Sequence, residues 1–203
     1  MFKKLKFFSQ RGAMFGLDAR IALAIFGTLA IVSGYVGISK FQTAKDAAFM
    51  KELFAVEEAM ELMQTDLGVF YDFAMASGNT PQEKLLALND VSYINPKYQS
   101  RWNGPYLEGL EQPNRYTNTD YRLFSTQVDL STGCNISNAC YMMIVLGGVP
   151  GSLWDRINRM VDENNGSAIE ASPVAEGRVR SGSALGADPK QLLYRTTLVR
   201  QAG

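Results

Sequence analysis

IALAIFGTLAIVSGYVGI, residues 21–38, is a run of eighteen residues without a charge. A helix needs about 20 apolar residues to cross the hydrocarbon of a bilayer, and counting from Leu17 brings the stretch to that length. On its N-terminal side lie Lys3, Lys4, Lys6 and Arg11, with no acid among the first thirteen residues. Basic residues ahead of an apolar span hold that end in the cytoplasm and direct the remainder outward. An ordinary secretory signal has a shorter apolar core closed by a small-x-small cleavage site. Here the run passes straight into an amphipathic continuation, so the apolar segment is expected to stay in the mature chain, with any cleavage ahead of it.

In that continuation Leu53, Val56, Met60, Met63, Leu67, Phe70 and Ala74 alternate spacings of three and four, which is one stripe of an α-helix. Lys51, Glu52, Glu57, Glu58, Glu61, Gln64 and Asp66 fill much of the remaining circumference, and no proline occurs before Pro81. The economical reading is one helix from about residue 15 to about residue 76, roughly 90 Å long at 1.5 Å per residue. Gly34 and Gly37 mark where an anchor and a separate helix would join in the alternative reading.

After Ser77-Gly78-Asn79, a helix stop, the composition becomes mixed. Thr80-Pro81-Gln82-Glu83 has an N-cap, a proline at the first helical position and a capping-box acid, and predicts a helix to about Asn89. Strand character appears over residues 121–130, 141–146 and 193–199. Ser152-Leu153-Trp154-Asp155 reads as a second capping box, opening a helix to about Asp162 whose buried face holds Leu153, Ile157 and Met160 or Val161. The chain is too short for two heads beyond such a helix. An α+β fold follows: a long N-terminal transmembrane α-helix packed against a small antiparallel β-sheet head.

Arg11-Gly12-Ala13-Met14-Phe15-Gly16-Leu17-Asp18, followed by an apolar helix containing Gly27, resembles the N-terminus of the type IV pilin and pseudopilin family. Trp102-Asn103-Gly104-Pro105-Tyr106-Leu107 is similar to a W-x-G-P-Y-L element ahead of the sheet in major pseudopilins, and Gly177-Arg178-Val179-Arg180 to a late strand of pilin-like heads. The resemblance implies a leader at 1–13 removed by a prepilin peptidase between Ala13 and Met14, N-methylation of Met14, a helix at 14–77 with 17–38 in the membrane, and a head at 78–203. Asp18 then stands at the fifth mature position, where the family has an acid that pairs with the N-terminal amine of an adjacent subunit. Two features depart from the pattern: alanine precedes the cut where glycine is usual, and the acid is aspartate where glutamate is usual. Cutting after Gly12 or Gly16 would put Leu17 or Ile21 at that position. Independently of any family, an acid at the edge of an apolar helix costs about 2.5–3.5 kcal/mol at the bilayer centre and calls for a cationic partner. In the simpler alternative Asp18 and Arg20 are interfacial charges that reach the headgroups.

The implied partners are copies of the chain or other pilin-like subunits, the prepilin peptidase and an inner-membrane assembly platform. The implied location is the inner membrane, with the head periplasmic or extracellular in a pilus or secretion pseudopilus. In that oxidising compartment Cys134 and Cys140, the only two cysteines, are expected to close a small disulfide loop stabilising by at most ~2–3 kcal/mol. Asn135-Ile136-Ser137 between them matches a glycosylation acceptor, a pattern that a polar hairpin tip also fits. Asp162, Asn164 and Asn165 offer the oxygen ligands calcium takes, as C-terminal loops do in some major pseudopilins, but match no EF-hand, and a solvated turn is the simpler reading. No cofactor is expected.

Catalysis is not expected either. The chain has no histidine, no P-loop and no dinucleotide fingerprint, and its Glu57/Glu61 pair is spaced for one exposed helix face. Taking the leader's four basic residues from the chain's twenty leaves sixteen against twenty acids, which gives no electrostatic reason to expect nucleic acid as a partner. Two function classes remain: a subunit whose helices pack into a filament, and a bitopic membrane-anchored binding domain that does not polymerise.

Overall fold

A computed structural model of the chain describes residues 11–110, 112–127, 140–162, 177–182 and 189–200. Helix α1 spans Arg11–Leu67. Its end is set by Gly68, whose φ of +66° is a left-handed conformation that glycine adopts without steric cost. The Gly68 N–H donates to the Gln64 carbonyl at 3.0 Å, and the Arg101 guanidinium donates to the Leu67 carbonyl at 3.2 Å. The helix therefore stops well short of residue 76. The chain resumes in the single turn α2 (Tyr71–Ala74), which keeps Phe70 and Ala74 in the core at the positions the stripe predicts.

The chain divides into two compact units, Met1–Lys45 and Asp46–Gly203, the second taking in the rest of α1. In the second unit α3 (Pro81–Leu86) opens with both halves of the expected capping box: Thr80 accepts from the Glu83 N–H, and Glu83 accepts from the Thr80 N–H. A 3-10 turn (Val91–Tyr93) and α4 (Pro96–Gln99) follow, started by the side chains of Asp90 and Asn95. Strands β1 (Arg122–Gln127), β2 (Cys140–Val149), β3 (Val179–Ser181) and β4 (Lys190–Arg200) form one antiparallel sheet in the order β1-β2-β4-β3.

Helix α5 (Gly151–Val161) lies where the sequence places a helix, but Ser152 does not cap it. Pro150 occupies the N-cap, and its carbonyl accepts from both Leu153 and Trp154 at 2.9 Å. Proline fixes the entry angle here, so the hydroxyl one residue inside the helix has no cap to make.

The core lies between the second half of α1 and one face of the sheet. Leu53, Val56, Met60, Met63 and Leu67 are buried against Leu123, Met142, Ile144, Leu146, Leu192 and Tyr194, with Leu153, Trp154 and Ile157 of α5 closing one side. Each such large apolar side chain contributes about 1.5–3 kcal/mol on burial. The architecture is α+β: a long N-terminal apolar helix and a small four-stranded antiparallel sheet.

Candidate functional site

Within the first unit every residue from Asp18 to Lys45 is exposed. Ile21, Leu23, Ile25, Phe26, Leu29 and Ile31 point in all directions around the helix, so the exposure is a full apolar girdle. A helix apolar on every side is stable only when surrounded by lipid or by other helices. Thr28, in the middle of the run, donates its hydroxyl to the Ile25 carbonyl at 2.9 Å, so its polar atom is satisfied without water. Tyr35, near the outer end of the run, is exposed, and past the run the Lys45 ammonium sits 4.4 Å from the Phe41 ring centroid. Aromatic and lysine side chains together are what the headgroup layer accommodates. This is the one helix among the described residues long and apolar enough to cross a membrane by length and composition. A membrane anchor and a signal sequence both answer to that description.

Ala13 and Met14 fall in the first turn of α1, and Asp18 is exposed one turn further on. Asp18 and Arg20 have no ion pair among the described residues.

In the second unit the acids of α1 do something that periodicity does not announce. Asp46 receives both Nε (2.5 Å) and Nη2 (3.0 Å) of Arg156 on α5. Glu52 accepts from Asn114, from Arg115 at 2.8 Å and from the Tyr121 hydroxyl at 3.1 Å. Glu57, read from the sequence as part of an exposed face, is only 6% exposed. It accepts from Arg178 at 2.6 Å, from the Tyr194 hydroxyl at 2.8 Å, and from both the N–H and the hydroxyl of Thr197. Asp66 accepts from the Tyr106 hydroxyl at 2.8 Å. Each carboxylate thus ties a different segment of the head to the helix.

The phenols on these acids are held protonated. Burial first, then the hydrogen bond to Glu57, raises the Tyr194 pKa; burial, then the charge of Glu52, raises that of Tyr121. A donor aimed at a buried carboxylate leaves that carboxylate occupied, which is unlike the free, solvent-reachable acid of a hydrolytic pair.

The signal for Glu57 is present in the sequence. It lies four residues after Leu53 and three before Met60, so it belongs to the edge of the buried stripe. Asp46 stands in the same relation to Phe49 and Met50. Their partners could not be found that way, because Arg156 and Arg178 are far away in sequence.

The Trp102–Leu107 segment packs its two aromatic rings around a glycine. The Trp102 and Tyr106 rings meet edge to face at 5.7 Å, and a Cβ on Gly104 would lie 2.4 Å from the indole. Only glycine fits between them. The Tyr106 N–H donates to the Leu88 carbonyl at 2.8 Å, and Leu107 is buried.

Cys140 is buried at the start of β2 and is not a free thiol; Cys134 lies outside the described residues. Of the calcium candidates, Asn164 and Asn165 also lie outside them. Asp162 caps the end of α5 and accepts the N–H groups of Arg178 at 2.8 Å and Val179 at 3.0 Å, which holds the start of β3. No group of three or more acidic or thiol side chains placed for a metal occurs among the described residues. No family model, curated protein or solved structure matches the chain.

Proposed function

We propose that the chain is a structural subunit of a type IV pilus-like or type II secretion filament. Prepilin peptidase cuts between Ala13 and Met14, residues 17–38 hold the subunit in the inner membrane, and the head stands on the periplasmic or extracellular side. An assembly platform then lifts subunits out of the bilayer, and the apolar girdle exchanges lipid for the helices of neighbouring copies. The observation that carries this reading is the charge-free run 21–38, exposed on every side, with Asp18 just ahead of it. Lipid and a bundle of like helices are the two surroundings such a girdle tolerates, and a filament subunit uses them in turn. Asp18 supplies a negative charge that pairs with the Met14 amine of a neighbour and sets register between copies.

The test is Asp18→Ala in cells that express the chain with its assembly machinery. The protein should remain in the membrane fraction while sheared surface filaments, or secretion that depends on them, are lost. A bitopic domain acting as a monomer would keep its function in that variant.

A further inference from the structure

The face of α1 that the head leaves uncovered is not uniformly polar. Two rows of side chains four residues apart run along it: Ala47, Lys51 and Ala55, then Phe54, Glu58 and Leu62. Seven residues make two helical turns less about 20°, so the second row lies on the same face as the first, two turns further on. Phe54 is 47% and Leu62 52% exposed; Ala47, Lys51 and Glu58 are exposed, and Ala55 is half-buried. Phe54, the exposed Met160 of α5 and the buried Met50 line an open groove of about 470 Å³, with Lys51 and Glu58 at its edges. Neither Lys51 nor Glu58 has a salt bridge among the described residues.

The two rows complement each other at one displacement. Two parallel copies in register would set Lys51 against Lys51, Phe54 against Phe54 and Glu58 against Glu58. Sliding one copy by seven residues, about 10 Å along the axis, sets Phe54 against Ala47, Glu58 against Lys51 and Leu62 against Ala55. Each bulky apolar side chain then meets an alanine, and the cation meets an anion.

We propose that this groove is occupied by the same α1 face of a second copy of the chain, parallel to the first and displaced by seven residues, with Lys51 paired to Glu58 of its neighbour. Burial of Phe54 and Leu62 supplies the attraction, and the charges select the register. A contact displaced along the axis passes from copy to copy and does not close into a dimer. The inference rests on the filament reading, since copies anchored in one membrane have α1 running the same way. An antiparallel pair would also bring Lys51 to Glu58, but it would oppose Ala47 to Leu62 and send the two anchors in opposite directions.

The experiment is disulfide trapping in membranes of cells that express two differently tagged copies of the full chain. One pair of copies carries Lys51→Cys and Glu58→Cys, a second Ala47→Cys and Phe54→Cys, and a third Ala47→Cys and Leu62→Cys. No free cysteine occurs among the described residues to compete, and Ala47, Lys51, Phe54, Glu58 and Leu62 are all exposed, so the fold is not at stake. The expected result is mixed-tag disulfides from the 51/58 and 47/54 pairs and none from the 47/62 pair. Disulfides between two Lys51→Cys copies, a 47/62 product, or no mixed-tag product from a chain that stays in the carbonate-resistant fraction would overturn this inference and leave the anchor standing. A chain missing from that fraction would overturn the inference and the filament reading together.

Discussion

Residues 18–41 and 46–67 belong to the same helix, yet they treat charge in opposite ways. The first stretch keeps its charges to the ends, Asp18 and Arg20 before the apolar run and Lys40 after it, and exposes large apolar side chains on all sides. The second scatters acids around the helix and buries a single apolar stripe. Its acids are not simply a solvated face, since Asp46, Glu52 and Glu57 each hold a cation or a phenol from elsewhere in the head. Apolar periodicity reports which side of a helix has a partner, and the position of each acid relative to the stripe reports whether it faces water or is tied into the fold.

Three changes would break or sharpen this contrast, in descending order of effect, with Glu58→Ala as the control for the second. Ile25→Arg with Leu29→Arg puts two cations into the middle of the first stretch, at about 2.5–3.5 kcal/mol each for membrane insertion. The double variant should leave the carbonate-resistant membrane fraction, while the same pair of substitutions at exposed Glu58 and Glu61 should not. Glu57→Ala strands the donors gathered on it and should destabilise the head by about 3–5 kcal/mol, read as a lowered thermal midpoint. Glu58→Ala, one residue along and exposed, should stay within about 0.5 kcal/mol of the parent. Thr80→Ala removes one half of the capping box of α3 and should cost about 1 kcal/mol in the same assay.

The smallest effect is one of pH. Tyr71, Tyr121 and Tyr194 have pKa values raised in the folded state, each chiefly by burial. Their contribution to stability is complete below the ordinary phenol pKa, near 10, and is lost as pH rises beyond it, because the unfolded chain then releases protons the folded one retains. Titration of tyrosinate absorbance should show these three ionising only as circular dichroism reports unfolding.

Much of this was legible in the sequence because it depends on neighbours. The stripe from Leu53 to Leu67, the Thr80/Glu83 box and the run 21–38 each follow from residues a few positions apart, and the described structure has all three. The end of α1 was misplaced because the stripe continues through Phe70 and Ala74 even though Gly68 turns the chain and Arg101, from a distant loop, caps the helix. Strand β3 was only a motif, Gly177 to Arg180, and its place at the sheet edge depends on pairing with β4. Nothing local marks Glu57 and Arg178 as partners. Such long-range pairs become visible only when the chain is folded, and they include most of what ties the second half of α1 to the head.

The central claim is that the chain is processed and assembled as a filament subunit, and the most direct measurement is the mass of its mature N-terminus in cells with and without their prepilin peptidase. A chain beginning at Met14, carrying one added methyl group and appearing only when the peptidase is present, is the predicted result. A chain that keeps residues 1–13 in both strains, or one cut beyond Ile38, would contradict it.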